Sequence, residues 1–309
     1  MSVNQEILDK KEHFVESIRR AYPALPITAV ELNEQGQNND VLVVDGVWIF
    51  RFPRYAQALE RLEIEAAILA AVEPYITLEI PVPVYLALEG REVGTAFLGY
   101  RRIEGEPLWR ETYEALEHAL ERAATLDRLA GQLAGFLREL HGVPVAEVAA
   151  AMAAAGHELH RDDTYEVCAD LYRRMGEKLF PHMRPDARDW AADHFETFLD
   201  RPANFEYEPV LKHGDFGTSN ILIDPTSGRV RGILDFGGAC LGDPAYDFAG
   251  LLSSYGEGFL RRCARVYPEL EGLLPRVRFY QGTFALYEAL FGIEHGDEAA
   301  YWAGMARYV

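Results

Sequence analysis

The spacing of hydrophobic residues changes along the chain and separates a sheet-forming first third from a mostly helical remainder. Apolar residues recur at helical spacing from Gln5 to Arg20. Short apolar runs typical of strands follow at 27–32, 41–44 and 47–52. The dipeptide Asp45-Gly46 lies between the last two runs and is a hairpin signal. The pattern therefore predicts an amphipathic helix followed by a small antiparallel sheet.

A second helix and two further strands complete this first region. The helix is predicted from 56 to 72, and the strands from 81 to 88 and from 95 to 100. After Arg101 and Ile103 the sequence reads almost entirely as helix up to residue 203. We therefore expect an α+β protein with a hinge near Ile103. The predicted domains are an N-terminal lobe, residues 1–103, and a mainly helical C-terminal lobe, residues 104–309.

Composition fits a protein with a substantial core and no membrane segment. The chain has 309 residues, of which 49% are hydrophobic, but no apolar run reaches the roughly 20 residues of a membrane helix. The first ten residues are polar, unlike a secretory signal. The three cysteines lack metal-site spacing, which favours buried free thiols. These features predict a cytoplasmic protein.

The net charge of −19 argues against a nucleic-acid partner, because phosphate contacts require a basic surface. The same acidity fits a cationic small molecule, although acidity also serves solubility alone.

Three polar residues stand at informative spacing in the C-terminal half. Asp215 lies in His213-Gly214-Asp215, Asn220 follows five positions later, and Asp235 opens Asp-Phe-Gly fifteen positions after that. Apolar runs at 221–223 and 230–234 flank a turn that contains Pro and Gly, which predicts a hairpin. Such a hairpin brings Asn220 and Asp235 to the same end.

This set of side chains suits metal-assisted phosphoryl transfer, and its spacing is that of the protein-kinase template. In that chemistry a carboxylate accepts the proton of the attacking hydroxyl, which we assign to Asp215. An amide oxygen and a second carboxylate hold Mg²⁺ at the phosphates, and Asn220 and Asp235 are the candidates. A bilobal protein-kinase-like fold is therefore expected.

The N-terminal lobe offers the remaining parts of a nucleotide site. Arg51 on the third strand and Glu65 on the following helix are the candidates for the phosphate-binding pair. Gly36 is the one glycine in the polar loop 33–40, where a kinase covers the phosphates. Backbone groups of Arg101 and Ile103 at the hinge are candidates to bind the purine.

These motifs resemble the aminoglycoside phosphotransferases, with the nearest resemblance to the aminoglycoside 2″-O-phosphotransferases. The resemblance rests on the two motifs above and on Gly242-Asp243-Pro244-Ala245-Tyr246-Asp247-Phe248. It also rests on 48–54, on Ile103-x-Gly105-x-Pro107-Leu108 and on Gly292-x-Glu294-x-Gly296. It implies transfer of the terminal phosphoryl group of ATP or GTP to a hydroxyl of an aminoglycoside.

The resemblance also suggests further roles. Glu288, Glu294 and His295 lie where acceptor contacts are expected. His213 and Asp247 are expected to support the catalytic loop. The chain departs from the family in having Arg51 in place of Lys and a loop with one glycine.

Other functions stay open on the sequence. Arg51-x-Pro53-Arg54 is also similar to macrolide kinases, and a choline- or homoserine-like metabolite is a further candidate acceptor. The replacement of Lys by Arg51 also admits a nucleotide-binding module that catalyses nothing.

Overall fold

The computed structural model describes residues 3–34, 36, 38–117 and 122–309. The helices of this part are α1 (Val3–Ala21), α2 (Ala56–Val72), α3 (Arg110–Glu117), α4 (Arg122–His141), α5 (Val145–Ala154), α6 (Tyr165–Lys178), α7 (Pro185–Leu199), α8 (Ala245–Cys263), α9 (Leu270–His295) and α10 (Glu298–Met305). The strands are β1 (Val30–Asn33), β2 (Asn39–Val44), β3 (Trp48–Pro53), β4 (Pro83–Ala87), β5 (Phe97–Arg101), β6 (Glu106–Pro107), β7 (Val210–Lys212), β8 (Ile221–Asp224), β9 (Arg229–Ile233) and β10 (Cys240–Gly242).

The chain forms two compact units, and each unit is built from three separate segments of the sequence. The first comprises Met1–Leu108, Val143–Leu159 and Ser219–Ala239. The second comprises Trp109–Gly142, His160–Thr218 and Cys240–Val309. The hairpin predicted to carry Asn220 and Asp235 therefore belongs to the first unit, whereas Asp215 belongs to the second. The division predicted at residue 103 stays a prediction.

A five-stranded antiparallel sheet in the order β1-β2-β3-β5-β4 is the centre of the first unit. Alternation along β3 directs Phe50 and Phe52 to one face, where both are fully buried. Phe14 of α1 stacks on Phe52 with ring centroids 3.9 Å apart. The opposite face of β3 presents Arg51 towards α2. One face of the sheet thus holds a hydrophobic core and the other holds a charged pair.

The first unit also contains a smaller sheet in the order β6-β8-β9. The turn between β8 and β9 is closed by Asp224, whose carboxylate accepts hydrogen bonds from the N–H groups of Thr226 and Ser227. Gly232 of β9 lies against Ile103, since a Cβ on Gly232 would be 2.8 Å from an Ile103 methyl carbon. This glycine lets the predicted hinge residue pack closely on the hairpin.

The second unit is mainly helical. Helices α8, α9 and α10 pack on one another, and α4 packs on α8 and β7. Its short sheet pairs β7 with β10 antiparallel. Gly256 interrupts α8 with a φ of 78°, a conformation that glycine adopts without steric cost.

The predicted fold class is confirmed: a small antiparallel sheet near the N-terminus precedes a mostly helical remainder. Helix α2 begins and ends where the hydrophobic pattern places it. The three cysteines are buried and free. Within the described ranges, every helix is too short or too polar to cross a membrane.

Candidate active site

A buried ion pair joins β3 to α2. Nη1 of Arg51 lies 2.6 Å from Oε1 of Glu65, and both side chains are largely shielded from water. The pair forms because β3 points Arg51 away from the phenylalanine core, while α2 turns Glu65 towards the sheet. The structure thus brings the two predicted phosphate-site residues together.

Glu65 also contacts the Asp-Phe-Gly segment. Its Oε1 atom accepts a hydrogen bond of 3.2 Å from the N–H of Phe236. A Cβ on Gly237 would be 3.6 Å from the second Glu65 oxygen and 3.2 Å from an Asp235 oxygen. The carboxylate of Glu65 therefore links Arg51 to the segment that carries Asp235.

The hairpin brings the two predicted metal ligands together at one end. The N–H of Leu234 donates a 2.8 Å hydrogen bond to the carbonyl oxygen of Asn220, so the residues next to Asp235 are tied to Asn220. Asn220 is buried and Asp235 is exposed. Asp235 has a φ of 61°, in the left-handed region where Asp is tolerated better than most side chains.

The electrostatics of this cluster follow from burial and proximity. Burial acts to lower the pKa of Arg51, but attraction from Glu65, Tyr100 and Asp235 outweighs it and raises the pKa. The guanidinium therefore stays charged. Burial raises the pKa of Glu65, and the attraction of Arg51 offsets part of that effect. Tyr100, beside the same groups, has its pKa raised by burial to about 12.

The donor atoms of Asn220 and Asp235 fit magnesium. Mg²⁺ prefers oxygen ligands and is usually held in proteins by one or two carboxylates, with phosphates and water completing its shell. Asn220 supplies an amide oxygen and Asp235 supplies an exposed carboxylate. The hairpin thus carries a suitable, incomplete set of ligands.

In the second unit, Asp247 organises the segment that leads to Asp215. Its Oδ2 atom accepts a 2.8 Å hydrogen bond from the N–H of His213, and its Oδ1 atom accepts one of 3.0 Å from the N–H of Gly214. His141 contacts the same carboxylate through Nε2 at 3.0 Å. Asp247 is buried, whereas Asp215 is exposed. The buried carboxylate holds the backbone of the loop and leaves Asp215 accessible.

The charge of Asp247 is favoured despite its burial. Burial alone acts to raise the pKa, but the hydrogen bond and attraction from His141, together with the N–H of His213, hold it below its usual value. Asp247 is therefore a hydrogen-bond acceptor at neutral pH.

The remaining predicted nucleotide residues occupy separate places in the first unit. Gly36 is exposed between β1 and β2, and a Cβ there would lie 2.8 Å from the carbonyl oxygen of Asn39. Arg101 ends β5 and pairs in register with Trp48. Ile103 is buried. Their contacts with a nucleotide stay predictions.

The three predicted acceptor residues lie along the end of α9. Glu288 and His295 are exposed. Nδ1 of His295 is 3.0 Å from the carbonyl oxygen of Phe291, on whose ring the imidazole stacks. Glu294 forms ion pairs with Arg174 and with Lys178, the latter at 2.7 Å. The structure therefore shows Glu294 joining α9 to α6, and its predicted contact with the acceptor stays untested.

Sequence reasoning missed two buried residues around the catalytic loop. His141, the last residue of α4, contacts both Asp247 and the hydroxyl of Tyr267. Lys212 lies directly before His213, is 1% exposed, and places its Nζ atom 3.1 Å from Asp162 and 4.0 Å from the ring centre of Tyr246. A lysine in a short apolar strand was an available signal, but its partners are distant in sequence.

Comparison with known proteins assigns the chain to a family. The phosphotransferase enzyme family matches residues 29–280. The chain is similar to viomycin phosphotransferase of Streptomyces vinaceus, with 32% identity over 134 residues, which are 42% of this chain and 46% of that protein. The match thus spans less than half of that relative.

Solved structures extend the similarity to nearly the whole chain. The GDP complex of wild-type aminoglycoside 2'-phosphotransferase-IIIa has a TM-score of 0.85 and 28% identity, and the match covers 96% of each chain. A structure of such an enzyme with GDP and kanamycin has a TM-score of 0.82 and 28% identity, covering 95% of this chain and 96% of that one. The chain belongs to the phosphotransferase enzyme family, and the resemblance seen in its motifs is confirmed.

Proposed function

We propose that this protein transfers the terminal phosphoryl group of ATP or GTP to a hydroxyl of an aminoglycoside antibiotic. The observation that carries the proposal is the contact of Glu65 with both Arg51 and the N–H of Phe236. This arrangement joins a phosphate-binding cation to the segment of a candidate magnesium ligand, Asp235. An ion pair that only stabilised the fold would not need this link between Arg51 and the segment of Asp235.

Each residue has a role in this mechanism. Asp215 accepts the proton of the acceptor hydroxyl while the oxygen of that hydroxyl forms a bond to the terminal phosphorus. The bond from that phosphorus to the bridging oxygen breaks, and the nucleoside diphosphate leaves. Arg51 binds phosphate oxygens, and Glu65 keeps its guanidinium in place. Asn220 and Asp235 would hold magnesium, whose charge neutralises the phosphate oxygens when it is bound.

The acceptor is inferred from the relatives and from charge. One similar structure contains kanamycin, a cationic aminoglycoside, and a net charge of −19 favours a cation. Antibiotic resistance in the cytoplasm is the physiological role that follows from this assignment. The partial match to viomycin phosphotransferase makes viomycin the acceptor to compare first.

A nucleotide-consumption screen tests the acceptor directly. Purified protein with magnesium and ATP or GTP is offered kanamycin, viomycin, a macrolide, choline or homoserine, and phosphorylated product is identified by mass spectrometry. The proposal predicts product with kanamycin. Product from viomycin, a macrolide or a metabolite alone would reject the aminoglycoside assignment while retaining phosphoryl transfer.

The same screen separates an enzyme from a nucleotide-binding module. Wild-type protein that binds magnesium nucleotide but phosphorylates none of these acceptors, together with a gain of activity in Arg51→Lys, would support the module and reject the enzyme.

A further inference from the structure

Asn39, the first residue of β2, has a buried polar group without a partner among the described residues. The residue is 9% exposed, and its Oδ1 atom accepts no hydrogen bond from any residue that the structure describes. A buried amide oxygen in this state costs stability, because it has lost its hydrogen bonds to water. Such a residue calls for a functional explanation.

The register of the sheet places Asn39 on the same face as Arg51. Asn39 pairs with Pro53, and Val41 pairs with Arg51. Residues directly opposite in antiparallel strands share a face, as do residues two apart in one strand. Asn39 is therefore displaced from the level of Arg51 by two residues, about 7 Å along the strand. It lies at the end of β2 that adjoins the polar loop.

On the opposite face of the sheet, ion pairs hold Glu34 and Asp40, which lie near the two ends of the polar loop. Asp40 follows Asn39 and is buried, and its carboxylate lies 2.9 Å from both Nζ of Lys10 and Nε of Arg54. Lys10 also pairs with Glu34 at 2.6 Å. Helix α1 and the end of β3 thus fix both sides of the loop.

Backbone carbonyl groups of Glu34 and Asn38 are held as well. The N–H of Arg54 donates a 3.0 Å hydrogen bond to the carbonyl oxygen of Asn38, and its guanidinium donates to the carbonyl oxygen of Glu34. Gly36 lies so close to the carbonyl oxygen of Asn39 that a side chain would collide with it. These contacts fix the position from which the Asn39 amide projects.

We infer that the side-chain amide of Asn39 binds the polyphosphate chain of the nucleoside triphosphate. The inference rests on the proposed function, because it takes Arg51 as the phosphate-binding cation. A half-turn of the amide exchanges its oxygen and nitrogen with little change of shape, so its NH₂ group can donate to a phosphate oxygen. Asn39 then adds a neutral donor between the loop and the guanidinium of Arg51.

The substitution Asn39→Leu separates this role from a structural one. It removes an unpaired buried oxygen and keeps a similar volume, so we expect a melting temperature no lower than that of the wild type. It also removes a donor to a charged group, so affinity for magnesium-ATP or magnesium-GTP should fall at least about tenfold. Calorimetric titration without acceptor measures the affinity, and thermal unfolding measures stability.

Asn204 provides the matched control. Its Nδ2 atom donates a 2.8 Å hydrogen bond to the carbonyl oxygen of Phe198. Asn204→Leu should therefore lower the melting temperature and leave nucleotide affinity unchanged. The two variants should therefore differ in both measurements: Asn39→Leu loses nucleotide affinity and keeps its melting temperature, and Asn204→Leu does the reverse.

Unchanged nucleotide affinity in Asn39→Leu would overturn the inference, as would a melting temperature several degrees below the wild type. If that variant does not fold, Asn39→Asp decides: added negative charge should weaken binding, and wild-type affinity would overturn the inference. Because no acceptor is present, the result is independent of whether the proposed transfer occurs. Failure of wild-type protein to phosphorylate any acceptor would count against the proposed function alone.

Discussion

Arg51 and Glu65 form a buried ion pair in which the Glu65 oxygen that faces the guanidinium also accepts the N–H of Phe236. Removing one partner of such a pair leaves an uncompensated buried charge, which costs more than the pair itself contributes. Arg51 is therefore expected to support both the fold and the nucleotide site.

Arg51→Met should lower the free energy of unfolding by about 3–5 kcal/mol, because it leaves Glu65 buried without its cation. It should also abolish detectable nucleotide binding. Arg51→Lys keeps the charge and should retain most of the stability, while changing the contact geometry with phosphate. Chemical denaturation and nucleotide titration measure the two effects. Equal stability of the Met variant and the wild type would contradict this account of the pair.

Turnover should require magnesium and depend on Asn220 and Asp235. Chelation of divalent cations should stop phosphoryl transfer, and added magnesium should restore it. Asp235→Asn preserves the left-handed backbone tendency but removes a charge, so it should raise the magnesium concentration needed for half-maximal turnover by about tenfold or more. The same substitution at Asp224, a carboxylate that closes the hairpin turn, should leave the magnesium requirement unchanged. If Asp235→Asn showed the wild-type magnesium dependence, Asp235 would not be a ligand of the metal.

Asp247 should make the free energy of unfolding depend on pH in the acidic range. Its folded-state pKa is held below the usual value, so its contribution is present above the unfolded pKa of about 4 and is lost as pH falls through the folded value. Asp247→Asn should therefore destabilise the protein at pH 7 and lose less stability than the wild type on acidification below about pH 4. Denaturant titrations across this range provide the measurement. Parallel pH profiles of stability in the two proteins would show that Asp247 is not the group responsible.

The sequence predicted the elements and motifs more completely than the contacts between them. Apolar patterning located α2 and the strands of the first sheet, because most of these elements place apolar residues in the core. The kinase-like spacing placed Asn220 and Asp235 on one hairpin. The roles of His141 and Lys212 were not predictable, because their partners Asp247 and Asp162 come from distant segments. Likewise, nothing local indicated that Glu294 pairs with two cations of α6.

Glu294 should stabilise the second unit. Arg174 and Lys178 lower the pKa of its carboxyl to about 2. Because the folded pKa lies below the unfolded value, the stabilisation is full at neutral pH and is lost as pH falls from about 4.5 towards 2. Glu294→Gln should cost about 1–2 kcal/mol at pH 7, a value reduced by the partial exposure of both cations.

The same variant tests the predicted acceptor role of Glu294. If the carboxylate serves the fold alone, KM for the aminoglycoside should stay at the wild-type value when both proteins are assayed well below their melting temperatures. A large rise in this KM with unchanged stability would instead place Glu294 in contact with the acceptor.

In the proposed mechanism, Asp215 accepts the proton of the acceptor hydroxyl. The direct test of this step is the rate of product formation by Asp215→Asn under saturating magnesium nucleotide and aminoglycoside, measured beside nucleotide affinity. Asp189→Asn, at an exposed position of α7, is the control. We predict a fall in kcat of about 10²–10⁴-fold for Asp215→Asn, with nucleotide affinity and the control at wild-type values. Turnover by Asp215→Asn at the wild-type rate would contradict the account.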